Sequence, residues 1–128
     1  DLFYDNMLFQ DDELVALIDF EEACAYYRIF DLGMAILGLC SEEGSLSLPK
    51  ARSLVKGYQV GNQISQNEIE ALQVFVEYAA VATSFWRYWK YNIHHPLPDK
   101  KDGHWETVQI ADFVKAIPAH EFIETVFE

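Results

Sequence analysis

The sequence predicts a mainly α-helical domain fronted by one small β-hairpin, an α+β arrangement in which helices supply the bulk. Three observations carry this. Leu14 to Ile18 and Met7 to Phe9 are short apolar runs separated by the polar turn Gln10-Asp11-Asp12-Glu13, the signature of strand, turn, strand. Apolar residues then recur at spacings of three and four through most of the chain. At 128 residues, with 51% hydrophobic and 15% aromatic content, the chain is long enough for one packed core and too apolar to be disordered.

Each later element follows from local chemistry. Glu21 to Tyr27 connect the hairpin to the first helix and are read as part-helical. Arg28 to Cys40 place Ile29, Leu32, Ala35, Ile36 and Leu39 on one face of a buried helix. Ser41 to Leu48 read as a loop, and Pro49 opens a helix that Gly61 ends. Its Lys50, Arg52 and Lys56 form a solvated basic face. Ser65-Gln66-Asn67-Glu68 is a capping box. From it the longest helix runs to about Tyr91, with Leu72, Val76, Ala79, Phe85, Trp86 and Trp89 along its apolar stripe. Asn92 to His104 form a Pro-broken loop, followed by helices over 105–116 and 118–127.

Composition bounds function. A net charge of −12 excludes a nucleic-acid surface, which needs clustered Lys and Arg. No apolar run reaches the length that spans a bilayer, so no membrane partner is expected. Cys24 and Cys40 have no metal-ligand spacing and both lie in apolar contexts. Two buried free thiols, and hence a cytoplasmic location, are expected. The four histidines show no metal-binding spacing, and no stretch has the ligand pattern of an EF-hand.

The chemistry-bearing residues concentrate in the first twenty positions, DLFYDNMLFQDDELVALIDF. Asn6 precedes the first strand and Asp19 follows the second, so an antiparallel hairpin makes them near neighbours. Such oxygen donors suit a hard cation, Mg2+, shared with substrate phosphate. Asp1 lies in the loop that leads in, where a carboxylate can orient or accept a hydroxyl proton. The alternative is ordinary: Asp and Asn favour turns, and acidic residues beside a hairpin are usually solvated.

The run D-L-F-Y-D-N-M-L-F, then L-I-D-F-E-E-A, then F-D-L-G-M-A, resembles the aminoglycoside phosphotransferase and choline kinase-like superfamily, and within it most nearly the homoserine kinase-type branch. The resemblance implies Asp1 as catalytic-loop aspartate, Asn6 and Asp19 as metal ligands, and Asp31 as structural support of the catalytic loop. It further implies ATP as co-substrate with Mg2+. The family's His two residues before the aspartate is not in the chain, which starts at Asp1, and the six glycines are scattered singly with no phosphate-covering loop. The expectation is therefore a C-terminal kinase-like lobe, with catalytic loop and metal hairpin at 1–20 and a helical subdomain at 21–128, lacking its N-terminal ATP lobe and inactive alone.

The acceptor is expected to be a small alcohol, with homoserine first. Asp5 and Glu21 are placed to face an ammonium group. Near the end of the long helix, Arg87 offers a fork for a carboxylate, while Trp86 and its aromatic neighbours offer a cage for a quaternary ammonium. Choline, ethanolamine or an aminoglycoside are the other acceptors. The rival class is a noncatalytic helical interaction domain, with the aromatic helix as its groove.

Overall fold

A computed structural model describes all 128 residues. It is mainly helical with a small N-terminal hairpin, as the patterning requires. The hairpin pairs β1 (Met7–Gln10) with β2 (Glu13–Leu17) in antiparallel register, Met7 opposite Leu17 and Gln10 opposite Glu13. Its loop is tighter than the polar run suggests. Only Asp11 and Asp12 turn, at φ 49° and 65°, the paired left-handed geometry of a two-residue hairpin that matches strand twist. The register shifts between Leu8 and Phe9, so one extra residue is accommodated as a bulge.

Residues 18–27 cross to α1 (Arg28–Cys40) without forming a helix. A second hairpin, β3 (Ser41–Glu42) with β4 (Ser45–Leu46), replaces the expected loop. Glu43 and Gly44 turn it at φ 44° and 80°; two-residue strands leave no alternation to read, so the turn alone makes them. Next come α2 (Leu48–Gly61), α3 (Gln66–Tyr88), α4 (His104–Ala116) and α5 (Ala119–Phe127). At the start of α3, Glu68 Oε2 accepts from the Ser65 N–H at 2.8 Å and its hydroxyl at 2.7 Å, closing the capping box.

α1 and α3 run in the same direction. Arg28 pairs with Glu68, and five residues on Gly33 lies against Phe75 and Val76, where an added Cβ would sit 3.0 Å from the Phe75 backbone. α4 returns antiparallel, bound to α3 at both ends: Gln73 Nε2 donates to the carbonyls of Val114 and Ile117 at 2.8 and 2.7 Å, and Arg87 reaches Gly103 and Glu106. One core joins α1, β4 and all the remaining helices, with Ile36, Leu72, Val76, Val114 and Phe122 fully enclosed.

Three further expectations change. The long helix keeps its α pitch only to Tyr88; Trp89–His94 continue as a π-helix. The buried stripe ends with Ala79, Ala80 and Ser84, while Phe85, Trp86 and Trp89 are exposed. α4 meets that last turn only on the side of Ser84, Arg87 and Tyr88, and periodicity cannot report which side a neighbour covers. Cys40 is buried but Cys24 is exposed, because residues 18–27 lie on the surface outside the core. No helix is long and apolar enough to cross a membrane.

Candidate functional site

The hairpin does what its register dictates. Asn6 closes a single 3-10 turn, Tyr4–Asn6, with its N–H donated to the Phe3 carbonyl at 3.0 Å. Its own carbonyl accepts from the Ile18 N–H at 3.0 Å, so the chain entering β1 is tied to the chain leaving β2. Asp19 follows directly. It is held at φ 64°, a left-handed conformation that Asp tolerates better than most residues. The Asn6 side chain is buried, and its Nδ2 donates to the Asp1 carbonyl at 2.9 Å.

These bonds bring Asp1, Asn6 and Asp19 to one end of the hairpin. Asn6 Nδ2 donates one of its two hydrogens to the Asp1 carbonyl, and Oδ1 is the atom with lone pairs to offer a cation. Asp19 is exposed and makes no ion pair. The donor set is thus oxygen only, from one amide and one carboxylate. It fits Mg2+, which takes one or two protein carboxylates and keeps water or phosphate for its other positions. No three His, Cys, Asp or Glu side chains are grouped so that they could hold a metal ion together.

The remaining candidates lie outside this set. Asp5 and Glu21 are exposed, in the 3-10 turn and in the turn after β2. Asp31 is exposed in the first turn of α1, where the helix dipole favours a carboxylate, and it makes no hydrogen bond to the Asp1 loop. Arg87 is engaged within the helical part, its Nη1 donating to the Gly103 carbonyl and to Glu106 Oε2, both at 3.1 Å. Trp86 already carries a cation, the Lys90 ammonium 4.3 Å above its ring. Neither side chain bonds to the hairpin.

Two features had no counterpart in the sequence reading. The Asp1 loop is seated on α1: the Tyr4 hydroxyl donates to the Leu39 carbonyl at 2.8 Å, and Leu2 and Phe3 lie against Gly38. A glycine inside a helical pattern is the signal that could have revealed the close approach. Second, Tyr26 and Tyr27 join Phe30, Phe75 and Tyr78 in a chain of edge and tilted ring contacts beside the start of α1.

The profile of the phosphotransferase enzyme family (APH) matches residues 1–74. The chain belongs to this phosphotransferase family. The matched stretch contains Asp1, Asn6, Asp19 and Asp31 and stops before Trp86 and Arg87. Among curated relatives, the homoserine kinase of Agrobacterium fabrum (strain C58) is 40% identical over 73 residues, which are 56% of this chain and 23% of that protein. The homoserine kinase of Rhizobium meliloti (strain 1021) is 35% identical over 82 residues, 63% of this chain and 25% of that protein. That of Zymomonas mobilis is 34% identical over 90 residues, 70% and 28%. The chain therefore matches about a quarter of the length of these relatives.

Proposed function

We propose that this chain is the C-terminal catalytic lobe of an ATP-dependent kinase that phosphorylates the hydroxyl of an amino alcohol, homoserine first among them. The observation that carries the reading is the hairpin register, which sets Asn6 and Asp19 at the end where Asp1 enters, in a family whose named relatives here are homoserine kinases.

The chemistry assigned to each residue follows from its place. The Asp1 carboxylate orients the acceptor hydroxyl and takes its proton as the alcohol oxygen bonds to the γ-phosphorus. The bond from that phosphorus to the β–γ bridging oxygen breaks, and ADP leaves. Asn6 Oδ1 and the Asp19 carboxylate would hold Mg2+, which when bound neutralises charge on the phosphates. Asp5 and Glu21 face the substrate ammonium, and Asp31 would support the loop only through α1, on which the loop is seated at Gly38 and Leu39.

The hairpin also supports a lobe-like role. Leu8, Phe9, Leu14, Val15, Ile18 and Phe20 are all exposed, on both faces of the hairpin since successive strand residues alternate, and this much exposed apolar surface suits a segment made to be covered. We assign that cover to an ATP-binding lobe of the full-length protein, which makes the 128-residue chain inactive by itself.

The test uses the full-length protein with ATP, Mg2+ and homoserine, following ADP release. Asp19→Asn should cut turnover by about 10²-fold or more while the circular dichroism spectrum is unchanged. Turnover with choline, ethanolamine or an aminoglycoside in place of homoserine would reassign the acceptor. No turnover with any of them would favour a noncatalytic interaction domain.

A further inference from the structure

The loop that carries Asp1 is seated on the helical body along α1. The Leu2 carbonyl is directed at Gly38 on α1, so close that a Cβ built at position 38 would overlap the Leu2 oxygen and lie 3.1 Å from both the Leu2 carbonyl carbon and Phe3 Cγ. One residue on, the Leu39 carbonyl accepts the Tyr4 hydroxyl at 2.8 Å. The two contacts are adjacent on the helix and adjacent in the loop.

We propose that Gly38 and Tyr4 are positioning residues that set where Asp1 and Asn6 stand relative to Asp19; this rests on the phosphotransfer reading above. The path is short and continuous. The carbonyl pressed on Gly38 belongs to the Leu2–Phe3 peptide, one peptide beyond Asp1, so a shift there turns the Leu2 backbone and carries Asp1 with it. Phe3 accepts the Asn6 N–H, Asn6 Nδ2 returns to the Asp1 carbonyl, and the Asn6 carbonyl takes the Ile18 N–H beside Asp19. A shift at Leu2 is therefore passed to all three site residues.

Helix geometry explains why only glycine serves. Any Cβ at position 38 points at a backbone atom, which has no rotamer through which to escape. The loop must lift, or α1 must move against α3. The second route is closed, because α1 already lies at contact distance from the Phe75 backbone at Gly33. Lifting the loop is the cheaper response, and a misplacement of about 1 Å at reacting groups costs about 10²-fold in rate.

The experiment compares wild type, Gly38→Ala and Tyr4→Phe in the full-length protein, reading amide hydrogen exchange together with homoserine-dependent ADP release. Gly38→Ala should speed exchange at Asn6 and Ile18 by about tenfold or more while Leu72 and Val76 on α3 are unchanged. It should lower kcat by about 10²-fold with a much smaller change in the KM for ATP. Tyr4→Phe, which adds no bulk, should shift the same amides and kcat in the same direction by less. Unchanged exchange at Asn6 and Ile18 overturns the proposal, and so does faster exchange spread evenly over α1 and α3, which would make Gly38 a packing residue only. A wild-type protein inactive on every acceptor, with the local exchange effect intact, would overturn the kinase reading and leave the loop seated on the helix.

Discussion

Arg28 grips Glu68 with two nitrogens, Nε to Oε1 at 2.6 Å and Nη2 to Oε2 at 2.7 Å, and the same Nη2 reaches the Gln63 carbonyl at 2.6 Å. One fork thus ties the first turn of α1 to the capping box of α3. The guanidinium, helped by the Ser65 N–H and hydroxyl, holds the Glu68 carboxyl down at about 2. Arg28 is pushed upward by the same partner.

A carboxyl with a lowered folded value stabilises the fold fully above its ordinary value near 4.5 and loses that contribution as pH falls toward 2. Glu68→Gln should therefore lower the melting temperature at pH 6, and the gap from wild type should close as melts are repeated down to pH 2. The pair is exposed, so added salt should also narrow the gap.

Gly33 and Gly57 should respond oppositely to alanine. At Gly57 nothing lies within 4 Å of an added Cβ, so Gly57→Ala should stabilise α2 by about 0.5–1 kcal/mol. At Gly33 the same helix preference is opposed by overpacking on the Phe75 backbone, which costs about 1–3 kcal/mol, and the net should be a loss. Urea midpoints of the two variants, taken at unchanged slope, measure this.

The two thiols should separate by reactivity. Cys24 is exposed; Cys40 is buried, and burial pushes its thiol up to about 11. A thiol reagent at pH 8 should modify one cysteine in the native protein and two in urea. Because the folded value is raised from 9.0, this contribution to stability is complete below pH 9 and is lost between about 9 and 11.

Asp19→Gly should leave stability within about 1 kcal/mol of wild type, because glycine accepts the left-handed backbone that Asp19 adopts at φ 64° but loses more freedom on folding. Turnover should nevertheless disappear with the carboxylate. Thermal melts and ADP release on one preparation would show the two properties parting.

Much of this was legible in residue order. The bounds of α1, Arg28–Cys40, follow from apolar spacing, and Ser65 and Glu68 mark the start of α3 chemically. The hairpin was readable because both strands were longer than its turn, and its register then brings Asn6 and Asp19 together. β3 and β4 were not, since two residues carry no pattern. The exposed Phe85 and Trp86 were misplaced because helical spacing names a face without naming what covers it. Gly38 stayed hidden for a related reason: its partner, the Leu2 carbonyl, is a backbone atom, and backbone atoms leave no mark in a sequence.

The π-helix at Trp89–His94 sets how the last third of the chain is phased. Its i to i+5 bonding, seen in the 2.7 Å bond from the His95 N–H to the Lys90 carbonyl, stacks side chains five apart. Trp89 and His94 lie face to face, ring centres 4.6 Å apart and planes within 8°, and Trp86 meets Tyr91 edge-on. A π turn is an α-helix holding one surplus residue. Excising a single residue, Asn92 for example, would let the helix regain ordinary pitch with its flanks in phase, remove the Asn92 Nδ2 bonds to the Tyr88 and Lys101 carbonyls, and shorten the path by which α4 returns to Arg87. Segment length here acts as a dial, and the single surplus residue is the setting at which α4 comes back alongside α3.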